Sequence, residues 1–210
     1  MLDLFCGRWG WSKAFAARGW ECIGVDLVMP SVETPDGCLL YQMDINVVGV
    51  EMCKEFDFIC ASSPCEQFSV HGMKHFHPNP KYPELGIQLF EHTRRICEES
   101  GVPYVMENVR AAQQFVGNAV HHCGPFYLWG TGVPPLMPKG IIKGMNITQA
   151  WDKATGKRAY AGPRMYSSGS KERATEVAKL ATIPPELANC VANYAERILE
   201  PEYIARKRAT

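Results

Sequence analysis

Short apolar runs alternate with stretches of helical periodicity along the chain, and most of the runs end on a small or polar residue. Leu2-Asp3-Leu4-Phe5 reads as a strand that enters a glycine-containing turn, Cys6 to Gly10. Ser12 stands as an N-cap before Lys13 to Ala17, and Gly19 stops that helix. Glu21 to Val25, Leu39 to Met43 and Phe56 to Ala61 form three more apolar runs, the first two closed by Asp26 and Asp44, the third running into Ser62-Ser63-Pro64-Cys65. Leu85, Leu89, Thr93 and Ile96 recur at helical spacing within residues 85–99. Tyr104-Val105-Met106 is a fifth strand, closed by Glu107-Asn108, and Phe126 to Trp129 reads as a sixth. Pro184-Pro185 opens a last helix marked by Leu187, Val191, Tyr194 and Ile198. Strands alternating with helices predict an α/β domain built on a mostly parallel, twisted sheet with helices on both faces.

A parallel sheet of this kind binds ligands outside the carboxyl ends of its strands. Five predicted strand ends carry Gly7 with Gly10, Asp26, Asp44, Cys65 and Glu107, so all of these are expected along one edge. A glycine turn between strand and helix lets a nucleotide-like cofactor approach the backbone. A carboxylate at Asp26 suits both hydroxyls of a ribose, and Asp44 suits an adenine amino group or a helix cap. Cys65, on a stiff turn beside Pro64, stands where a nucleophile is placed. Glu107 at the next strand end can bond a ring nitrogen and donate a proton.

Length and composition narrow the classes. At 210 residues and 46% hydrophobic content, the chain is expected to be a single globular domain, without a secretory leader or membrane span. The nine cysteines lack a CxxC pair, which argues against a zinc site and for a reducing, cytoplasmic setting. Net charge is zero, yet residues 139–173 hold eight Lys or Arg against two acidic residues, a local +6 balanced by −6 elsewhere. Such a segment suits phosphate contacts or a solvated loop. His71, His75 and His77 follow Cys65 in a loop with several prolines; no metal is expected there.

Taken together, Leu4-Phe5-Cys6-Gly7 with Gly10 and Ser12, Pro64-Cys65-x-x-Phe68-Ser69, and Glu107-Asn108-Val109 resemble the cofactor loop, nucleophile motif and acid motif of the cytosine-C5 DNA methyltransferases, in the same order. Ala181-Thr182-Ile183-Pro184-Pro185 with Leu187, Ala188, Val191 and Ala192 resembles the last motif of that family. The resemblance covers residues 1–110 and 175–198. It implies a Rossmann-like methyltransferase fold over residues 1–210, a reduced target-recognition insert at 130–173, and a C-terminal helix at 174–200 packed beside the cofactor loop. It implies S-adenosylmethionine as cofactor, with S-adenosylhomocysteine as product, held by Phe5, Cys6, Gly7, Gly10, Asp26, Leu27, Asp44, Ile45, Ser63 and Pro64. It implies Cys65, Glu107 and Asn108 as the catalytic group, a flipped base in double-stranded DNA, and a lid formed by Val70 to Tyr82. Gln67, Ser69, His71, Arg110, Arg158 and Arg164 are the candidate nucleic-acid contacts. The chain departs from the family at Trp9 and Trp11, where small residues are usual, and has no Gln-x-Arg-x-Arg motif. Its recognition region is short, so a partner protein supplying specificity, a tRNA substrate and a non-catalytic nucleic-acid-binding role stay open at this stage.

Overall fold

A computed structural model describes residues 1–28, 32–68, 83–138, 150–152, 157–159 and 181–209. Seven strands form one sheet in the order β3-β2-β1-β4-β5-β7-β6. They are β1 (Leu2–Leu4), β2 (Cys22–Asp26), β3 (Cys38–Gln42), β4 (Ile59–Ser62), β5 (Tyr104–Val109), β6 (His121–Cys123) and β7 (Phe126–Trp129). The first five are parallel, and β7 runs antiparallel to both β5 and β6. This is a Rossmann-like methyltransferase fold. Because β1 pairs with both β2 and β4, the strand order reverses at β1, the place at which sheets of this kind form a ligand crevice. A separate hairpin pairs β8 (Ala150–Asp152) with β9 (Lys157–Ala159).

Both faces of the sheet are covered. One carries α1 (Ser12–Ala16) and the long α5 (Pro185–Ala209), with a core of Trp9, Trp11, Phe15, Phe58, Cys60, Val105, Leu128, Leu187 and Val191. The other carries α2 (Val50–Lys54), α3 (Pro83–Ser100) and α4 (Gln113–Val116), over Leu2, Leu4, Ile59, Phe90, Ile96, Met106 and Trp129. Among the described residues no helix is long and apolar enough to cross a membrane.

Three local expectations change. Ser12 is the first residue of α1 and not its cap: its hydroxyl and its N–H both donate to Asp3 Oδ2, at 2.6 and 3.2 Å. A buried strand carboxyl therefore takes the role expected of the N-cap side chain. β4 begins at Ile59, not Phe56, because α2 and its closing turn occupy the residues before it. Leu85 is exposed and Leu89 half-buried, whereas Thr93 and Ile96 of the expected face are buried, together with Phe90 and Cys97. Trp9 and Trp11, the departures in the turn, are buried in the core on the α1 side. Trp9 fits because β2 has Gly24 beneath it: a Cβ there would lie 2.3 Å from the indole ring.

Candidate functional site

The turn after β1 is built from unusual backbone. Phe5, Gly7 and Trp9 have φ of 61°, 46° and 62°, a left-handed conformation that is costly for the two aromatic residues. Hydrogen bonds hold it: Cys6 N–H to Val25 O at 3.1 Å, Trp9 N–H to Cys6 O at 2.7 Å, and Gly7 N–H to Asp26 Oδ2 at 2.9 Å. Asp26 Oδ1 accepts from Val28 N–H at 3.0 Å, so this carboxylate joins the ends of β1 and β2. Gly10 lies against the segment before α5, where an added Cβ would stand 2.9 Å from Ile183. Cys6 turns its thiol into the core beneath Trp9, so only its backbone borders the turn's outer side.

The end of β3 lies beside that of β2, since Met43 N–H donates to Asp26 O at 3.0 Å. Asp44 caps a 3₁₀ turn, Ile45–Val47, by accepting from Asn46 N–H and Asn46 Nδ2, each at 2.9 Å. Ile45 is buried beneath it. Leu27, Val28 and Val47 are 64%, 67% and 71% exposed, an unusual apolar surface next to two carboxylates.

The Cys65 turn is pinned at both ends. Asn108, fully buried, donates its Nδ2 to Ser63 O and to Ser63 Oγ, each at 3.0 Å, while its Oδ1 accepts from Val109 N–H at 2.8 Å. Phe68 is buried, and its N–H closes the turn on Cys65 O at 3.0 Å. The start of α3 packs on it through Gly86, where a Cβ would meet the Phe68 ring at 2.9 Å and Gln67 at 3.0 Å. Cys65 itself is half-buried and Pro64 exposed. The eight other cysteines are poor nucleophiles, because burial raises the pKa of each thiol.

Glu107 pairs with Ser62 in parallel register, three residues before Cys65. It is buried, and burial pushes its pKa up to about 8, against a weaker opposing hydrogen bond from Ser62. At neutral pH this carboxyl is mostly protonated and can donate. The crevice end of the sheet thus combines a thiol on a fixed turn, a protonated carboxyl, and carboxylates beside apolar surface.

Residues 1–121 match the family described as C-5 cytosine-specific DNA methylase, more than half of the chain. The chain belongs to this family. As a family member it is also similar to the Type II methyltransferase M.AplI of Arthrospira platensis (strain NIES-39 / UTEX 3086 / IAM M-135). The two are 30% identical over 95 residues, covering 43% of this chain and 26% of that protein. The chain thus spans about a quarter of the length of that relative.

In this member of the family, the structure brings together Phe5, Gly7, Gly10, Asp26, Leu27, Asp44 and Ile45 at the ends of β1 to β3, and Ser63, Pro64, Cys65, Glu107 and Asn108 at those of β4 and β5. Gln67 is half-buried in the Cys65 turn, and exposed Arg110 follows β5. Arg158 stands opposite Trp151 in the β8–β9 hairpin. Ser69, His71, Arg164 and the expected lid at 70–82 lie outside the described residues. Three participants escaped the sequence: Asp3, Trp11 and Ser62. A lone carboxyl between Leu2 and Leu4 was a visible signal for Asp3, and Trp11 stood out as a large residue where small ones are usual; Ser62 gives none.

Proposed function

We propose that this chain transfers a methyl group from S-adenosylmethionine to C5 of cytosine in double-stranded DNA, with Cys65 as nucleophile and Glu107 as proton donor. The observation that carries the reading is the parallel register of Ser62 with Glu107, which sets a buried, protonated carboxyl beside the pinned Cys65 turn. The first three strand ends suit the cofactor: Asp26 and Asp44 can accept from ribose hydroxyls and an adenine amino group, and Leu27, Val28 and Val47 offer apolar surface to a purine. Each Asp26 oxygen has a second lone pair beyond its backbone bond, and both Asp44 bonds from Asn46 fall on Oδ1, which leaves Oδ2 as its acceptor. When bound, S-adenosylmethionine supplies an electrophilic methyl group and leaves as S-adenosylhomocysteine.

The chain's own residues account for activation of the base. The Cys65 thiolate attacks C6 of a cytosine flipped out of the duplex, and Glu107 gives its proton to N3, which takes up the ring's electron pair. C5 becomes nucleophilic as a result. After methylation, the C5 proton passes to a water molecule as the thiolate is expelled from C6, and N3 returns its proton to Glu107. Asn108 serves by holding Ser63, and through it the turn that aims Cys65. Recognition of the DNA sequence is assigned to the region around 130–173, with a partner protein as the second source.

The test is trapping on duplex DNA containing 5-fluorocytosine, with S-adenosylmethionine present. Fluorine cannot leave C5 as a proton does, so the reaction stops as a covalent adduct. An adduct that Cys65→Ala abolishes supports the assignment. Absence of an adduct on DNA together with an adduct on 5-fluorocytosine tRNA would move the substrate to RNA, and none on either would leave a binding role.

A further inference from the structure

We propose that Trp11 and Ser62 form a positioning pair for Glu107, which selects the carboxyl oxygen that carries the transferable proton. The inference rests on the reading of Glu107 as the acid and goes beyond it by explaining how the acid is oriented. Trp11 Nε1–H donates to Ser62 Oγ at 2.9 Å. An indole N–H can only donate, so the Ser62 hydroxyl must accept there, and its single hydrogen points elsewhere. Ser62 stands in register with Glu107 and their side chains project to the same face of the sheet, so the remaining hydroxyl hydrogen is set beside the carboxyl, where its donation opposes the effect of burial. The donor chain therefore runs Trp11 to Ser62 to Glu107. The oxygen that accepts from Ser62 is held as the carbonyl oxygen, which leaves the other to bear the proton toward the substrate.

Packing makes the direction stable. Trp11 is only 2% exposed and sits in the core between the sheet and α5, so its ring cannot swing away. It follows Gly10, which is pressed against Ile183. The turn after β1 is thereby linked to the acid at the end of β5 through one hydroxyl. On the same face of the sheet as Glu107 the titratable groups are Asp3 on β1, Cys60 on β4 and, past Leu128, His121 on β6; Cys65 and Arg110 lie in the segments that follow β4 and β5, and Glu186 and Cys190 at the start of α5. Burial and the Ser62 bond, not these charges, govern the ionisation of Glu107.

The experiment is a pH titration of the ligand-free protein by NMR, with carboxyl-labelled glutamate and Glu107 assigned by its loss in Glu107→Gln. Ser62→Ala removes the donor to the ionised carboxylate, so the Glu107 midpoint should rise by about one pH unit, a tenfold change in its ionisation constant. Ser62→Thr keeps the hydroxyl and should restore the wild-type midpoint. Trp11→Phe should raise the midpoint by less, since the hydroxyl is then only less polarised. Trp11→Phe combined with Ser62→Ala should match Ser62→Ala alone. In the wild type the Trp11 indole proton should report the Glu107 titration, and in Ser62→Ala it should not; this readout survives if the Trp11 variant fails to fold. An unmoved midpoint in Ser62→Ala, or a Trp11 effect that adds in full to it, would overturn the pair. No turnover is needed, so an inactive protein with the predicted shifts would defeat the acid role alone.

Discussion

Glu107 stands at the end of β5 with its carboxyl enclosed, and its pKa of about 8 lies far above the ordinary 4.5. In the proposed mechanism its protonated form is the one that donates to N3. Methyl transfer measured under single-turnover conditions should therefore fall as pH rises through about 8. Glu107→Gln should lose that limb and run about 10²–10⁴-fold slower, the usual scale of general-acid help. Cys65→Ser should abolish transfer yet keep S-adenosylhomocysteine binding by calorimetry, because in the proposed mechanism the thiol meets the base and not the cofactor. Asp26→Ala should weaken that binding by about 1–3 kcal/mol, the scale of a lost hydrogen bond to a charged group. Unchanged affinity would remove Asp26 from the cofactor site. Asp26 is fixed in place by two backbone donors, Gly7 N–H and Val28 N–H.

Among the elements, α1 is the shortest lever on the site. Five residues give an isolated helix almost no stability of its own, so its position comes from Asp3 beneath and α5 beside it. Arg18, just past α1, ties the two helices by donating to Asn189 at 2.7 Å and Asn193 at 2.8 Å. Gly10→Ala should force the Ile183 segment away from the turn, destabilising the fold by about 1–3 kcal/mol in urea unfolding. Equal stability would show that the contact yields freely. These element-level facts were only partly visible beforehand. The runs at Leu2, Glu21, Leu39 and Tyr104 announced strands because apolar residues dominate them and a small or polar residue stops each. α2 went unseen since Val50 to Lys54 holds too few positions to show a period. Leu85 was placed in the core by spacing alone, but it begins α3, where one face has yet to meet the sheet.

Across the whole molecule, two buried carboxyls tie folding to pH. Asp3 has a pKa of about 7 against 3.8 ordinarily, and Glu107 about 8 against 4.5. Both are raised in the folded state, so the native chain holds protons that the unfolded chain releases. Their contribution to stability is full below about pH 4 and is lost as pH rises through 7 and 8. Between pH 5.5 and 7.5 each group should lower stability by up to about 1.4 kcal/mol per pH unit. Urea unfolding at those two pH values should show a decline in the wild type that is much smaller in Asp3→Asn combined with Glu107→Gln. An equal decline in both proteins would mean that other groups set the pH dependence.

The sequence by itself determined the α/β class, the order of the strands along the chain and the motif residues at their ends, because alternation of apolar runs and the types of residue that stop them are local properties. It also determined that Cys65 sits in a polar, proline-stiffened turn unlike the settings of the other cysteines. The strand order 3-2-1-4-5-7-6, the register that sets Ser62 beside Glu107, and the burial that protonates that carboxyl were decided only by tertiary structure. So was the fit of Trp9 over Gly24 and of Trp11 onto Ser62. Each of these depends on contacts between segments far apart in the chain, and such contacts are fixed by mutual packing, which no single segment encodes.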